Sequence, residues 1–145
     1  MHDHHLHTAH DVATFTLAGN ATITLESEKT HHHFTYRVRR AEGTAKRWFV
    51  SLLNGPDNTA NFVYVGLVDA VTGQLAFRQT AKAKVSADAP SVRGFKYFWN
   101  AVSTERMPKD MIVRHEGKCG RCGRKLTVPE SIDRGIGPEC AGKLG

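Results

Sequence analysis

Long apolar runs are missing from this chain, and so are the signatures of most common enzyme classes. No 18 apolar residues run together, so no helix is expected to cross a membrane. The first residues carry no apolar core of a secretory signal, so export is not expected. Cysteine is scarce: Cys119, Cys122 and Cys140 are the three, all within the last 27 residues. An odd number at metal-like spacing argues against a disulfide framework and for a reducing, cytoplasmic setting. There is no P-loop, no dinucleotide fingerprint and no H-E-x-x-H, since His115-Glu116 is followed by Gly117 and Cys119. Ser131 has no nucleophile-elbow context. A non-enzymatic role is therefore expected, with one enzymatic reading kept open: a nuclease site assembled in space from histidines and carboxylates. Acidic residues are the minority, 14 against 20 Lys+Arg, giving a net charge of +6. That balance favours an anionic partner, nucleic acid first among them.

What is present reads as an ordinary globular chain. Its 145 residues are 40% apolar and 23% charged, enough for one domain with a small appendage and a core of its own. Residues 1–11 hold five of the nine histidines without periodicity, and a flexible tail is expected there. From Val12 the pattern alternates: Phe15 and Leu17, then Ile23 and Leu25, with Gly19-Asn20 between them as a hairpin turn. His31-His32-His33 reads as a polar strand edge or turn. Phe34, Tyr36 and Val38 define a half-buried strand whose other face carries Arg37 and Arg39. Arg47–Leu53, Phe62–Val68 and a short run from Leu75 to Gln79 are further strands. Turn residues at 54–58 and 71–74 separate them. Residues 81–90 read as a linker. Val92, Phe95, Phe98, Trp99 and Val102 then recur at helical spacing, so a helix over 91–104 is expected to pack on the sheet. The expected class is α+β: a β-rich domain, 12–107, of five or six antiparallel strands and one helix, followed by a module at 108–145.

That last module carries the chemistry. Its core is C-x2-C-x17-C. Two thiolates three positions apart can hold one tetrahedral ion from a tight knuckle, and Gly120 and Gly123 relieve crowding there. The expected ion is structural Zn2+, held by Cys119, Cys122 and Cys140. His115 is the nearest candidate for a fourth ligand, and Asp133 and Glu139 are oxygen alternatives. Unliganded thiols or a redox C-x-x-C remain the competing reading, although the βαβ context of a redox motif is absent. Knuckle, hairpin and a short closing helix would make a treble-clef-like finger. Lys118, Arg121, Arg124, Lys125 and Arg134 surround the knuckle. Eight Lys+Arg against five Asp+Glu between Pro108 and Gly145 make the module basic. These five residues are the expected nucleic-acid contacts. On the sheet, Arg37, Arg39, Arg40, Lys46 and Arg47 lie near Tyr36, Trp48 and Tyr64 in sequence. Tyr36 points away from Arg37 and Arg39, however, and is expected in the core.

The string His115-Glu-Gly-Lys-Cys119-Gly-Arg-Cys122-Gly-Arg-Lys-Leu-Thr-Val-Pro-Glu-Ser131-Ile, with Gly135-Ile-Gly-Pro-Glu-Cys140, resembles an uncharacterised zinc-motif family common in bacteriophages and their hosts. Phe34-Thr-Tyr-Arg-Val-Arg, Phe49-Val-Ser-Leu-Leu-Asn-Gly-Pro-Asp-Asn and Asp88-Ala-Pro-Ser more loosely resemble phage proteins that place a β-rich domain before this motif. Met1–Asp11 has no counterpart in that pattern. The resemblance implies a phage or prophage origin and action inside the host cell, and it implies no activity. Two functions are expected from it and from the charge: binding to nucleic acid or a nucleoprotein complex, or inhibition of a host defence or replication protein. No membrane partner is expected.

Overall fold

A computed structural model of the chain describes residues 4–43, 46–54, 61–71, 73–126 and 129–137. Most of the 54–58 turn, together with Glu139 and Cys140, lies outside the described residues. The elements in chain order are β1 (His5–Leu6), α1 (Ala9–Thr16), β2 (Asn20–Ser27), β3 (His33–Arg40), β4 (Arg47–Leu53), β5 (Phe62–Val71), β6 (Gln74–Arg78), α2 (Pro90–Val102), β7 (Met111–His115) and α3 (Pro129–Arg134). The strands form one curled antiparallel sheet in the order β1-β7-β2-β3-β4-β5-β6. The β-rich expectation therefore holds.

Strands β2 to β6 are consecutive neighbours, and the alternation of burial in β2, β3 and β4 fixes their register against one another. Ala21, Ile23, Tyr36, Val38, Trp48 and Val50 all point to one face and are buried. Helix α2 lies on that face. Pro90 opens it at a position where a missing N–H costs nothing. Its Val92, Phe95, Phe98, Trp99 and Val102 are buried as the helical spacing predicts. Phe95 sits at the centre, 5.0 Å from the Tyr36 ring and 4.9 Å from that of Phe77. Gly66 makes room for Phe77: a Cβ at that position would lie 2.6 Å from its ring. The polar ends of the buried aromatics all find backbone acceptors. Tyr36 donates to the Ser91 carbonyl, Trp99 to that of Leu75 and Trp48 to that of Leu17.

Two expectations fail near the N-terminus. The alternation after Val12 predicts a strand, but residues 9–16 form helix α1. Thr8 caps it by accepting the Asp11 N–H at 3.1 Å. Val12, Phe15 and Thr16 then fall on one helical face and are buried. Nor is the His-rich start a tail among its described residues. Leu6 is buried, and β1 pairs with β7 through His5↔Arg114 and Leu6↔Val113. Arg114 fixes this corner, donating to His5 Nε2 at 2.9 Å and to Glu26 at 2.6 Å.

The division expected at 107/108 does not match the sheet either. Strand β7 lies inside it, between β1 and β2, with Ile23 opposite His115 and Leu25 opposite Val113. The alternating burial of Val113 and His115 draws the start of the cysteine module into the main sheet.

Candidate metal and nucleic-acid site

The knuckle begins where β7 ends. Cys119 N–H donates to the Arg124 carbonyl at 2.8 Å, Gly123 N–H to that of Cys119 at 2.9 Å, and Leu126 N–H to that of Gly117 at 2.8 Å. Lys118 and Lys125 pair across this small hairpin. Gly123 closes the turn with φ 78°, in the left-handed region that suits glycine.

Two further backbone bonds tie the knuckle to its surroundings. Gly120 N–H reaches the Gly135 carbonyl after α3, and Asn20 N–H reaches the Gly120 carbonyl from the start of β2. Phe15 of α1 fills the space between. A Cβ on Gly120 or on Gly135 would lie 2.6 Å from the Phe15 ring. Only glycine at both positions lets this ring into the module, where Cys119, Leu126 and Ile136 are also buried.

Cys119 sits where its thiol ionises more readily than usual. Burial works against the charged sulfur, but backbone N–H groups of Gly137, Cys122 and Arg121, with the Cys122 side chain, outweigh it and bring the thiol down to about 7. The Arg121 N–H lies 3.4 Å from Sγ. Cys122 is exposed, on the same turn. Gly137 packs beside Cys119: a Cβ on it would be 3.9 Å from Sγ. Backbone amides turned onto a sulfur are what a metal-bound thiolate needs, so Cys119 fits zinc.

His115, the expected fourth ligand, is hydrogen-bonded at both ring nitrogens. Nδ1 accepts the Gly117 N–H at 2.9 Å, so Nε2 carries the proton and donates to the Ile132 carbonyl at 2.5 Å. Both ring nitrogens are committed to the backbone. Burial holds the imidazole below its ordinary value, and His4 presses the same way, while the Ile132 bond and Asp133 oppose them. His4 stacks on it with centroids 4.9 Å apart, and Phe15 lies 5.7 Å away. His115 thus packs the junction between β1, β7 and α3. Among the described residues no three His, Cys, Asp or Glu side chains gather as a metal site.

Lys118, Arg121, Arg124, Lys125 and Arg134 are all exposed around this module. The three histidines at 31–33 are exposed as well; His31 has φ 60° in the turn before β3. Tyr36 is fully buried, as its register predicts. The structure also brings together residues that sequence distance kept apart. Arg37 and Arg39 of β3 share a cleft with Lys118 of the knuckle and Glu116. The short closing helix is expected to open at Gly137-Pro138, and residues from 138 on lie outside the described residues; helix α3 lies upstream of it, between Pro129 and Gly135 (φ 73°), the usual boundary residues.

Residues 113–145 match a family of unknown function, DUF6011. The match covers the end of β7, the knuckle and α3, in agreement with the expected likeness to an uncharacterised family. Comparison with curated proteins and with solved structures gives no match. Among the described residues no helix is long and apolar enough to cross a membrane.

Proposed function

We propose that this protein binds nucleic acid or a nucleoprotein complex, and that its C-terminal module is a zinc finger whose metal is structural. The observation that carries the reading is the knuckle itself: a Cys-x-x-Cys turn whose backbone amides converge on Cys119 Sγ, ringed by exposed Lys118, Arg121, Arg124, Lys125 and Arg134. Cys119, Cys122 and Cys140 are the thiolate donors in this proposal. Cys140 follows Gly137 by three residues, a span of at most about 11 Å, and Gly137 lies against Cys119. The zinc would supply much of the folding free energy of so small a module and leave its basic surface fixed for phosphates. The resemblance of the motif to phage families supports an origin in a phage or prophage.

Native mass spectrometry and binding at rising salt test the two halves. One zinc per chain is expected, lost in Cys119→Ser and Cys140→Ser and retained in His115→Ala. A zinc-free chain with an intact knuckle would sink the metal assignment. Nucleic-acid affinity is expected to fall steeply with salt, because neutralised phosphates release counterions. A chain that binds no nucleic acid at low salt would overturn the functional assignment and turn attention to a host protein as partner.

A further inference from the structure

The sheet has one face covered by helices and one face that carries rings and positive charge together. On this outer face β3 presents Arg37 and Arg39, β4 presents Phe49, and β5 presents Phe62 and Tyr64. Arg39 stands opposite Phe49 in the ladder. The Arg37 guanidinium lies 4.0 Å from the centre of the Phe62 ring. Phe49 is 42% exposed and meets Tyr64 edge-on at 6.2 Å.

A hollow lies on either side of these rings. One, of about 210 Å³, is the cleft between β2, β3 and the knuckle, where Arg37, Arg39 and Lys118 face a single carboxylate, Glu116. The other, of about 520 Å³, has Phe49, Tyr64 and Leu67 among its lining and Arg47, Arg78 and Lys82 around it. Asp69 pairs with both Arg47 and Arg78. Positive charge therefore runs along both sides of an aromatic strip in which Phe49 is exposed and Phe62 and Tyr64 are half-buried.

We propose that this outer sheet face binds single-stranded nucleic acid, with bases stacking on Phe49 and Tyr64 and backbone phosphates entering the cleft of Arg37, Arg39 and Lys118. Every base has a flat face, and stacking on exposed rings beside cations is how unpaired strands are held without sequence preference. A duplex keeps its base faces stacked inside and offers this surface only phosphates. The charge complementarity, three cations against one carboxylate in the cleft, commits the face to a polyanion. The inference rests on the proposed nucleic-acid function and moves its main contact from the knuckle to the sheet.

Fluorescence anisotropy with a labelled oligothymidylate of about 16 nucleotides, and with a duplex of equal length, tests it. The single strand is expected to bind more tightly. Phe49→Ala should weaken single-strand binding about tenfold and leave the melting temperature nearly unchanged, since the ring is exposed. Arg39→Gln with Lys118→Gln should flatten the salt slope for the single strand by roughly 1.4, two phosphates' worth. The knuckle pair Arg121→Gln with Lys125→Gln should cost less than the roughly tenfold effect of losing a stacked base, and the control Arg93→Gln with Lys96→Gln, on the exposed side of α2, should leave the single-strand affinity within about twofold. A preference for duplex, or loss through the knuckle pair with the sheet variants binding as wild type, overturns the sheet site while the proposed function stands. A wild-type chain that binds neither probe overturns both.

Discussion

The sheet body and the cysteine knuckle reach order by different routes. In the body, Tyr36, Val38, Trp48, Val50 and Phe77 meet Phe95, Phe98 and Trp99 across a broad apolar contact, and hydrophobic burial drives its folding. Among the described residues the knuckle offers little of its own: Cys119, Leu126 and Ile136 are buried, and the large ring among them is Phe15, lent by a helix more than a hundred residues earlier in the chain. A small module with so few apolar groups needs staples. Here they are backbone bonds to Asn20 and Gly135, the Phe15 plug and the proposed zinc. The contrast explains the order of the described residues before β2: Phe15 completes the C-terminal module.

Four variants test that contrast. The largest effect is expected from the two phenylalanines. Phe95→Ala and Phe15→Ala each remove a fully buried ring and should cost about 3–5 kcal/mol. They should differ in place. Phe95→Ala should lower the protection of sheet amides in hydrogen exchange. Phe15→Ala should first release the Asn20 and Gly120 amides. Equal loss everywhere in both variants would show that body and knuckle unfold as one unit.

Gly135→Ala comes next. It adds a Cβ 2.6 Å from the Phe15 ring at a φ of 73°, combining overpacking with backbone strain. A loss of about 1–3 kcal/mol in urea denaturation is expected, with the body left intact. If the expected stability holds unchanged, the ring can shift and the plug is looser than its geometry implies.

The smallest effect belongs to the body's outer edge. Asp69 is held below the usual aspartate value first by its hydrogen bond to Arg78, against some desolvation, with the charges of Arg78 and Arg47 adding to it. A depressed folded value means that this carboxylate stabilises the fold above its unfolded value of about 3.9, and that the contribution fades as pH falls through the lower folded value. Asp69→Asn should therefore be less stable than wild type near neutral pH, and the gap should close below about pH 4. A gap independent of pH would mean that geometry, not charge, holds Arg47 and Arg78.

Much of the body was legible. Strand β4 and the register of β3 follow from strict alternation, and α2 from a five-residue aromatic and aliphatic stripe opened by Pro90. Helix α1 was misread because Phe15 and Leu17 fit a period of two. The Thr8-x-x-Asp11 cap was the signal that favoured a helix. The site divides in the same way. The spacing of Cys119 and Cys122 and the tight glycine turn are local and can be read along the chain. The role of His115 is not, because it depends on which backbone groups meet its two nitrogens.

Local pattern is enough to specify the elements whose side-chain periods leave one choice of face: the alternating strands, the amphipathic helix and the glycine-hinged knuckle. Tertiary structure alone decided that β1 and β7 close one edge of the sheet and that Phe15 plugs the knuckle. It also decided that Arg37 and Arg39 meet Lys118 beside the aromatic strip of Phe49, Phe62 and Tyr64. Those contacts join residues far apart in the chain, and no local period encodes them. Chain closure and close packing select them once the separate elements are formed.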